Sequence, residues 1–400
     1  MTGTRDARAG FAESEAAFHE AASAAVGHDD FGDPSYLEAL RVLLCAYDEE
    51  ARFNDYGREA SRHKVVETLK KRLRAEQVWK ASPGLRGGEI RRPIVICGLV
   101  RTGSTALHYL MGQDPGMQCL EYWLASKPQP RPPRGEWEAN PDYQASRAEI
   151  DFMYEADPSL KAIHFLMADG PEECRHLLEQ GFTDDGFEVN ASVPSYSRWY
   201  ASADMRPTYR RHRDLVATIG STEPEKRWLL KYPVHMRYLA DFLEVYPDAC
   251  IVQTHRDPSR VLSSYCSLIA GFRAIFEDDI QRKTIAEQEL ELWAAGAERA
   301  IEVRGRHDPR QFFDLHFHEF MEDPVGSVKR IYAHFDQELS DEGEACLRGW
   351  QNEHPQHKHG KHDYAKQDIG LSRGEILERF AAYMDHFGME PEQSKTGDVA

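Results

Sequence analysis

The spacing of apolar residues changes character near position 90. Before it, apolar positions recur every three or four residues among charged ones. Val65, Val66, Leu69, Leu73 and Val78 fall on one face in this way, and the spacing predicts amphipathic helices over 36–51 and 60–79. The first thirty or so residues, rich in Ala, Glu and Asp, lack such a stripe and read as a loosely packed arm. Ser82-Pro83-Gly84 is a turn signal that closes the helical section. We divide the chain into a helical N-terminal section, 1–88, and a larger domain, 89–400.

From position 92 onward, short β-branched runs at 94–97, 228–230, 249–253 and 312–317 alternate with helical patterns at 103–111, 233–246, 258–272 and 282–303. Strands alternating with helices predict an α/β fold, a mostly parallel sheet flanked by helices. The proline-rich stretch 127–141 reads as an extended surface loop. With 400 residues, 41% of them hydrophobic, the chain is long enough for one large α/β domain with additions. No apolar run approaches the length that crosses a bilayer. The polar start has no signal-peptide order, so the expected location is cytoplasmic. A formal net charge of -18 argues against a nucleic-acid partner, which needs a positive surface. It does not exclude an anionic cofactor held by a few local cations. Seven cysteines without a CxxC pair read as thiols, with Cys97 and Cys250 in the core.

The clearest chemical signal is Ile94-Val-Ile-Cys-Gly98-Leu-Val-Arg101-Thr102-Gly103-Ser104-Thr105. An apolar strand enters a glycine-bounded loop that leads directly into a helix. Backbone N–H groups of such a loop wrap a phosphate, and the helix N-terminus favours negative charge. Arg101 adds a cation suited to paired hydrogen bonds. Gly98, Gly103 and Thr105 fit the P-loop pattern, but Ser104 stands where a nucleotide-triphosphate site requires Lys.

These residues resemble the 5′-phosphosulfate loop of the sulfotransferases that use 3′-phosphoadenosine 5′-phosphosulfate (PAPS). The resemblance implies a P-loop-like fold and a loop, Arg101 to Thr105, that holds the 5′-phosphosulfate. It also implies a second phosphate site after a later strand. Cys250-Ile-Val-Gln-Thr-His255-Arg256-Asp257-Pro258, followed by Ser264 in the next helix, is similar to it. In the family such an Arg and Ser grip the 3′-phosphate. A third, basic element near the C-terminus matches Lys358, Gly360 and Lys361 in chemistry, although it departs from the commonest pattern. The histidines at 354, 357, 359 and 362 make a metal site the competing reading of that stretch. It lacks a cysteine or carboxylate signature, and we expect no metal.

Sulfuryl transfer needs a base for the acceptor hydroxyl and cations for the sulfonate and the departing phosphate. By resemblance, Glu121 matches a catalytic carboxylate of the tyrosine-acting branch. His164 is the alternative base, as in the cytosolic branch, and an ordinary core histidine otherwise. Lys231, ending the strand at 228–230, matches a lysine that contacts the sulfonate and bridging oxygen. The acids in Asp169-Gly-Pro-Glu172-Glu173-Cys-Arg175 read as helix-start chemistry that could also face the acceptor.

The expectation is therefore an in-line sulfotransferase. It takes PAPS, releases 3′-phosphoadenosine 5′-phosphate, and acts on a hydroxyl of a small-molecule, lipid or carbohydrate acceptor. Tyr122, Trp123, Tyr196, Trp199 and Tyr200 read either as an acceptor pocket or as packing. The N-terminal helices either shape that pocket or pair subunits into a homodimer. Two alternatives stand beside this reading: a P-loop kinase using ATP and Mg²⁺, and a noncatalytic binding protein on the same fold.

Overall fold

The computed structural model describes residues 9–156, 165–354 and 368–393. Its centre is a five-stranded, wholly parallel sheet in the order β2-β3-β1-β4-β5. The strands are β1 (Ile94–Gly98), β2 (Met117–Gln118), β3 (Arg227–Lys231), β4 (Cys250–His255) and β5 (Phe312–His316). Every residue of β1 and β4 is buried. This explains why β1, and β4 up to Val252, read as continuous apolar runs rather than alternating: helices cover both faces of a parallel sheet. The two-residue β2 carries no such run and was not legible as a strand.

Helices follow the strands as the pattern predicts. Ser104–Met111 follows β1, Pro258–Phe276 follows β4, and Arg282–Arg304 precedes β5. The stretch after β3 is instead split into a 3₁₀ segment, Pro233–Tyr238, and a short α-helix, Leu239–Val245. Part of the proline-rich loop also winds into a 3₁₀ helix, Arg134–Ala139.

The N-terminal section holds helices Glu15–Val26, Tyr36–Glu49 and Asp55–Ala81. The opening residues are thus not the loose arm that their composition implied. Phe11, Phe18 and Ala22 are buried, and Phe11 meets Tyr47 and Phe53 with ring centroids 5.1 and 5.8 Å apart. Phe18 and Ala22 dock the helix Glu15–Val26, and Phe11 docks the residues just before it. One hydrophobic core runs from Phe11, Leu40 and Leu69 through to Val95, Leu230 and Ile251, so the helical section and the sheet domain share their interior. No described helix is long and apolar enough to cross a membrane.

Candidate active site

In a parallel sheet, ligands bind beyond the carboxyl ends of the strands, where loops diverge. Here β1 lies between β3 and β4, with Ile96 beside Lys231 and Gly98 beside Thr254. The loop after β1, the Lys that ends β3 and the Arg that follows β4 therefore emerge side by side. Three segments far apart in the chain become neighbours through strand order alone.

The phosphate loop is shaped by its glycines and one threonine. Gly98 has φ +130°, and a Cβ there would stand 2.5 Å from the Thr254 carbonyl oxygen on β4. Only glycine permits this turn against the neighbouring strand. Arg101 has φ 60°, also in the left-handed region. Thr102 is buried, and its hydroxyl bridges the Leu99 carbonyl (2.7 Å) and Thr254 Oγ1 (2.6 Å). Its side chain thus holds the loop in shape rather than facing a ligand. Gly103, at φ 86°, precedes Ser104–Met111, and no side chain caps that helix. The N–H groups of its first turn are of the kind an anion satisfies.

Two further residues expected to bind cofactor, Ser264 and Arg256, meet Arg101 at this loop. Arg101 Nε donates to Ser264 Oγ at 3.2 Å. Arg256 Nη1 donates to the Arg101 carbonyl at 3.3 Å, and its guanidinium lies 4.1 Å from the ring centroid of Phe317. Behind Arg256, buried His255 contacts Asp314 Oδ1 (2.8 Å) and Tyr383 Oη (2.7 Å). Asp257 caps the following helix by accepting from the Ser259 N–H. The turn that presents Arg256 is thereby fixed from both sides.

On the other flank Lys231 is only 2% exposed. Its ammonium donates to Thr105 Oγ1 at 3.1 Å and to the Glu173 carboxylate. Glu173 does not open a long helix, since the helix Arg175–Leu178 begins after it. It sits on a strap pinned by Glu172 N–H to the Leu120 carbonyl (2.7 Å) and by Cys174 N–H to the Lys231 carbonyl (3.0 Å). Burial, followed by the charge of Glu173, pushes the Glu172 carboxyl up to about 7. Under Lys231 lies His108, which burial and then the lysine charge push down to about 3, leaving the imidazole neutral.

Glu121 is placed differently. Its carboxylate accepts from Arg131 Nη2 (3.1 Å) and Nε (3.2 Å). Arg131, 5% exposed, also reaches Gln118 Oε1, Glu223 Oε2 and the Cys119 carbonyl. Burial raises the Glu121 pKa against the pull of Arg131. This clamp fastens the proline-rich loop to the sheet. An arginine in a loop gives no sequence sign that it will be buried, so the chain alone does not reveal this partner. The aromatic residues divide too: Trp123, Tyr196 and Tyr200 are fully buried packing. His164, Lys358, Gly360 and Lys361 lie outside the described residues.

Residues 93–341 match the sulfotransferase family, a span that runs from just before β1 past the helix after β5. The chain belongs to the sulfotransferase family. The chain superposes with a TM-score of 0.84 on the crystal structure of sulfotransferase STF1 from Mycobacterium tuberculosis H37Rv, at 38% identity, covering 92% of this chain and 98% of the other. Against sulfotransferase STF9 from Mycobacterium avium the TM-score is 0.87 at 26% identity, covering 95% and 98%. Both matches extend over nearly the whole chain, so the N-terminal helices are part of the shared fold. In sequence, it is 26% identical over 260 residues to the omega-hydroxy-beta-dihydromenaquinone-9 sulfotransferase Stf3 of Mycobacterium bovis. That alignment takes in 60% of this chain, and the chain spans 62% of the length of this curated relative.

Proposed function

We propose that this sulfotransferase moves a sulfuryl group from PAPS to the hydroxyl of a small-molecule acceptor. The observation that carries the reading is the junction of Arg101, Ser264 and Arg256. Two guanidinium groups and a hydroxyl, drawn from the loop after β1 and from the turn and helix after β4, meet beside an uncapped helix N-terminus. A bisphosphorylated nucleotide needs two separate anion sites of this kind. Ser104 in place of the P-loop lysine favours this ligand over a nucleoside triphosphate.

In this reading, backbone groups of Arg101 to Thr105 hold the 5′-phosphosulfate, while Arg256 and Ser264 hold the 3′-phosphate. Lys231 steadies negative charge on the sulfonate and the departing oxygen, because its ammonium already stands at Thr105. We assign the base to Glu173 in preference to Glu121. Glu173 touches Lys231 at the mouth of the phosphate loop, whereas Glu121 is held by Arg131. The acceptor oxygen attacks sulfur in line with the leaving phosphate oxygen and passes its proton to the Glu173 carboxylate. We put lipid alcohols first among acceptors to try, because the name of the Mycobacterium bovis relative carries a hydroxyl-bearing menaquinone derivative. The proposal sets the enzyme in the cytoplasm, with its seven cysteines as thiols.

Calorimetric titration with 3′-phosphoadenosine 5′-phosphate, and with ATP plus Mg²⁺ in parallel, tests it. Binding of the bisphosphate that weakens in R101A and R256A supports the assignment. Binding of ATP·Mg²⁺ alone overturns it in favour of phosphoryl transfer.

A further inference from the structure

Arg256 has a partner that no part of this reaction uses. Its Nε donates to Glu392 Oε1 at 3.2 Å, with the side chains 28% and 41% exposed. The cation's other edge is engaged, since Nη1 reaches the Arg101 carbonyl and Phe317 backs the guanidinium plane. A guanidinium binds a carboxylate or phosphate through a pair of N–H groups on one edge. The edge left for an incoming phosphate is the Nε side, and Glu392 stands on it.

The tail that carries Glu392 is seated by its backbone. Glu392 N–H donates to Asp257 Oδ2 at 2.8 Å, and Arg373 Nη2 donates both to the Glu392 carbonyl (2.5 Å) and to Asp257 Oδ2 (3.3 Å). Arg260 Nη2 reaches the next carbonyl, Gln393, at 3.4 Å. Asp257 and Arg260 belong to the same turn and helix as Arg256 and Ser264. The tail is thus anchored to the element that forms the 3′-phosphate site, and it points one carboxylate at that site's cation.

We propose that Glu392 is an internal stand-in for the 3′-phosphate, a carboxylate plug that a nucleotide bearing this group must displace and that re-engages Arg256 as product leaves. The inference rests on the assignment of Arg256 to the 3′-phosphate. The plug makes the enzyme's affinity for such nucleotides weaker than the site alone would give, by the strength of one half-exposed ion pair. Nucleotides without a 3′-phosphate leave the pair in place and do not feel it. Because the competition is intramolecular, it acts at every enzyme concentration.

The test is calorimetry on the full chain with 3′-phosphoadenosine 5′-phosphate and adenosine 5′-phosphate as probes, comparing wild type, E392Q, E390Q and R256A. Glu390 is exposed on the same tail and controls for general charge. A half-exposed pair predicts that E392Q binds the bisphosphate about 3- to 5-fold more tightly, with adenosine 5′-phosphate and E390Q unchanged. Equal bisphosphate affinity in wild type and E392Q, with R256A still weakened, overturns the plug and leaves the cofactor assignment standing. Loss of any difference between R256A and wild type overturns both. Equal tightening by E390Q and E392Q reduces the effect to tail charge and also overturns the plug.

Discussion

Lys231 is hydrogen-bonded to Thr105 and to Glu173 at once, joining the first turn of the phosphate-loop helix to the acidic strap across the end of β3. A buried ammonium is stable only with such partners. In the proposed reaction this pair supplies a positive charge for the leaving group and a carboxylate for the acceptor's proton.

The first prediction concerns that lysine. K231M removes the charge while keeping most of the volume. Turnover should fall about 10²- to 10³-fold, as for loss of one transition-state donor, while bisphosphate affinity changes by no more than a few-fold. Single-turnover kinetics beside calorimetry separate the two effects. A loss of binding as large as the loss of rate would place Lys231 in ground-state recognition instead.

The two carboxylates should part company. E173Q is expected to lower kcat about 10²- to 10⁴-fold, as removal of a general base does, with little effect on melting. E121Q should leave turnover within a few-fold but cost about 1–3 kcal/mol of stability, because buried Arg131 loses part of its charged acceptor set. Denaturant melts and turnover assays on both variants decide it, and the opposite pattern would restore Glu121 as the base.

Ser264 supports Arg101 as well as facing the expected phosphate. S264A should weaken bisphosphate binding about 5-fold, the worth of one hydrogen bond. Adenosine 5′-phosphate should bind as before, and calorimetry with the two nucleotides reads the difference.

Glu172 supplies a pH dependence. Burial, and then the neighbouring Glu173, raise its pKa from the ordinary carboxylate 4.5 to about 7 in the folded protein. The folded state therefore holds a proton that the unfolded chain has released, and stability falls as pH rises from about 4.5 to 7. E172Q cannot ionise and should remove this part of the fall. Thermal melts should show E172Q and wild type alike near pH 4.5, with E172Q the more stable at pH 8. Parallel melting curves across that range would refute the assignment.

Gly98→Ala should be among the most damaging single-methyl changes. The added Cβ meets β4 backbone at 2.5 Å, in a conformation that disfavours side chains. A loss of more than about 2 kcal/mol in urea melts is expected, because a rigid neighbouring strand cannot yield.

Much of this protein was legible along the chain, and the reason is local. Strand runs and the glycine-bounded loop each lie within some fifteen residues, where backbone sterics and side-chain spacing set the outcome. The parallel α/β fold follows from those segments, whereas Arg256 and Ser264 were singled out by the family resemblance. Other features were hidden because they are contacts between distant segments. Composition alone made the first residues look loose, yet Phe11 and Phe18 find a core supplied by other helices. Nothing around Arg131 foretells that it will lie buried against Glu121, and nothing around Glu392 points to Arg256. A carboxylate reads the same in sequence whether it is a base, a clamp or a plug. Its role is set by the cation it meets, and only the folding of the chain brings that cation to it.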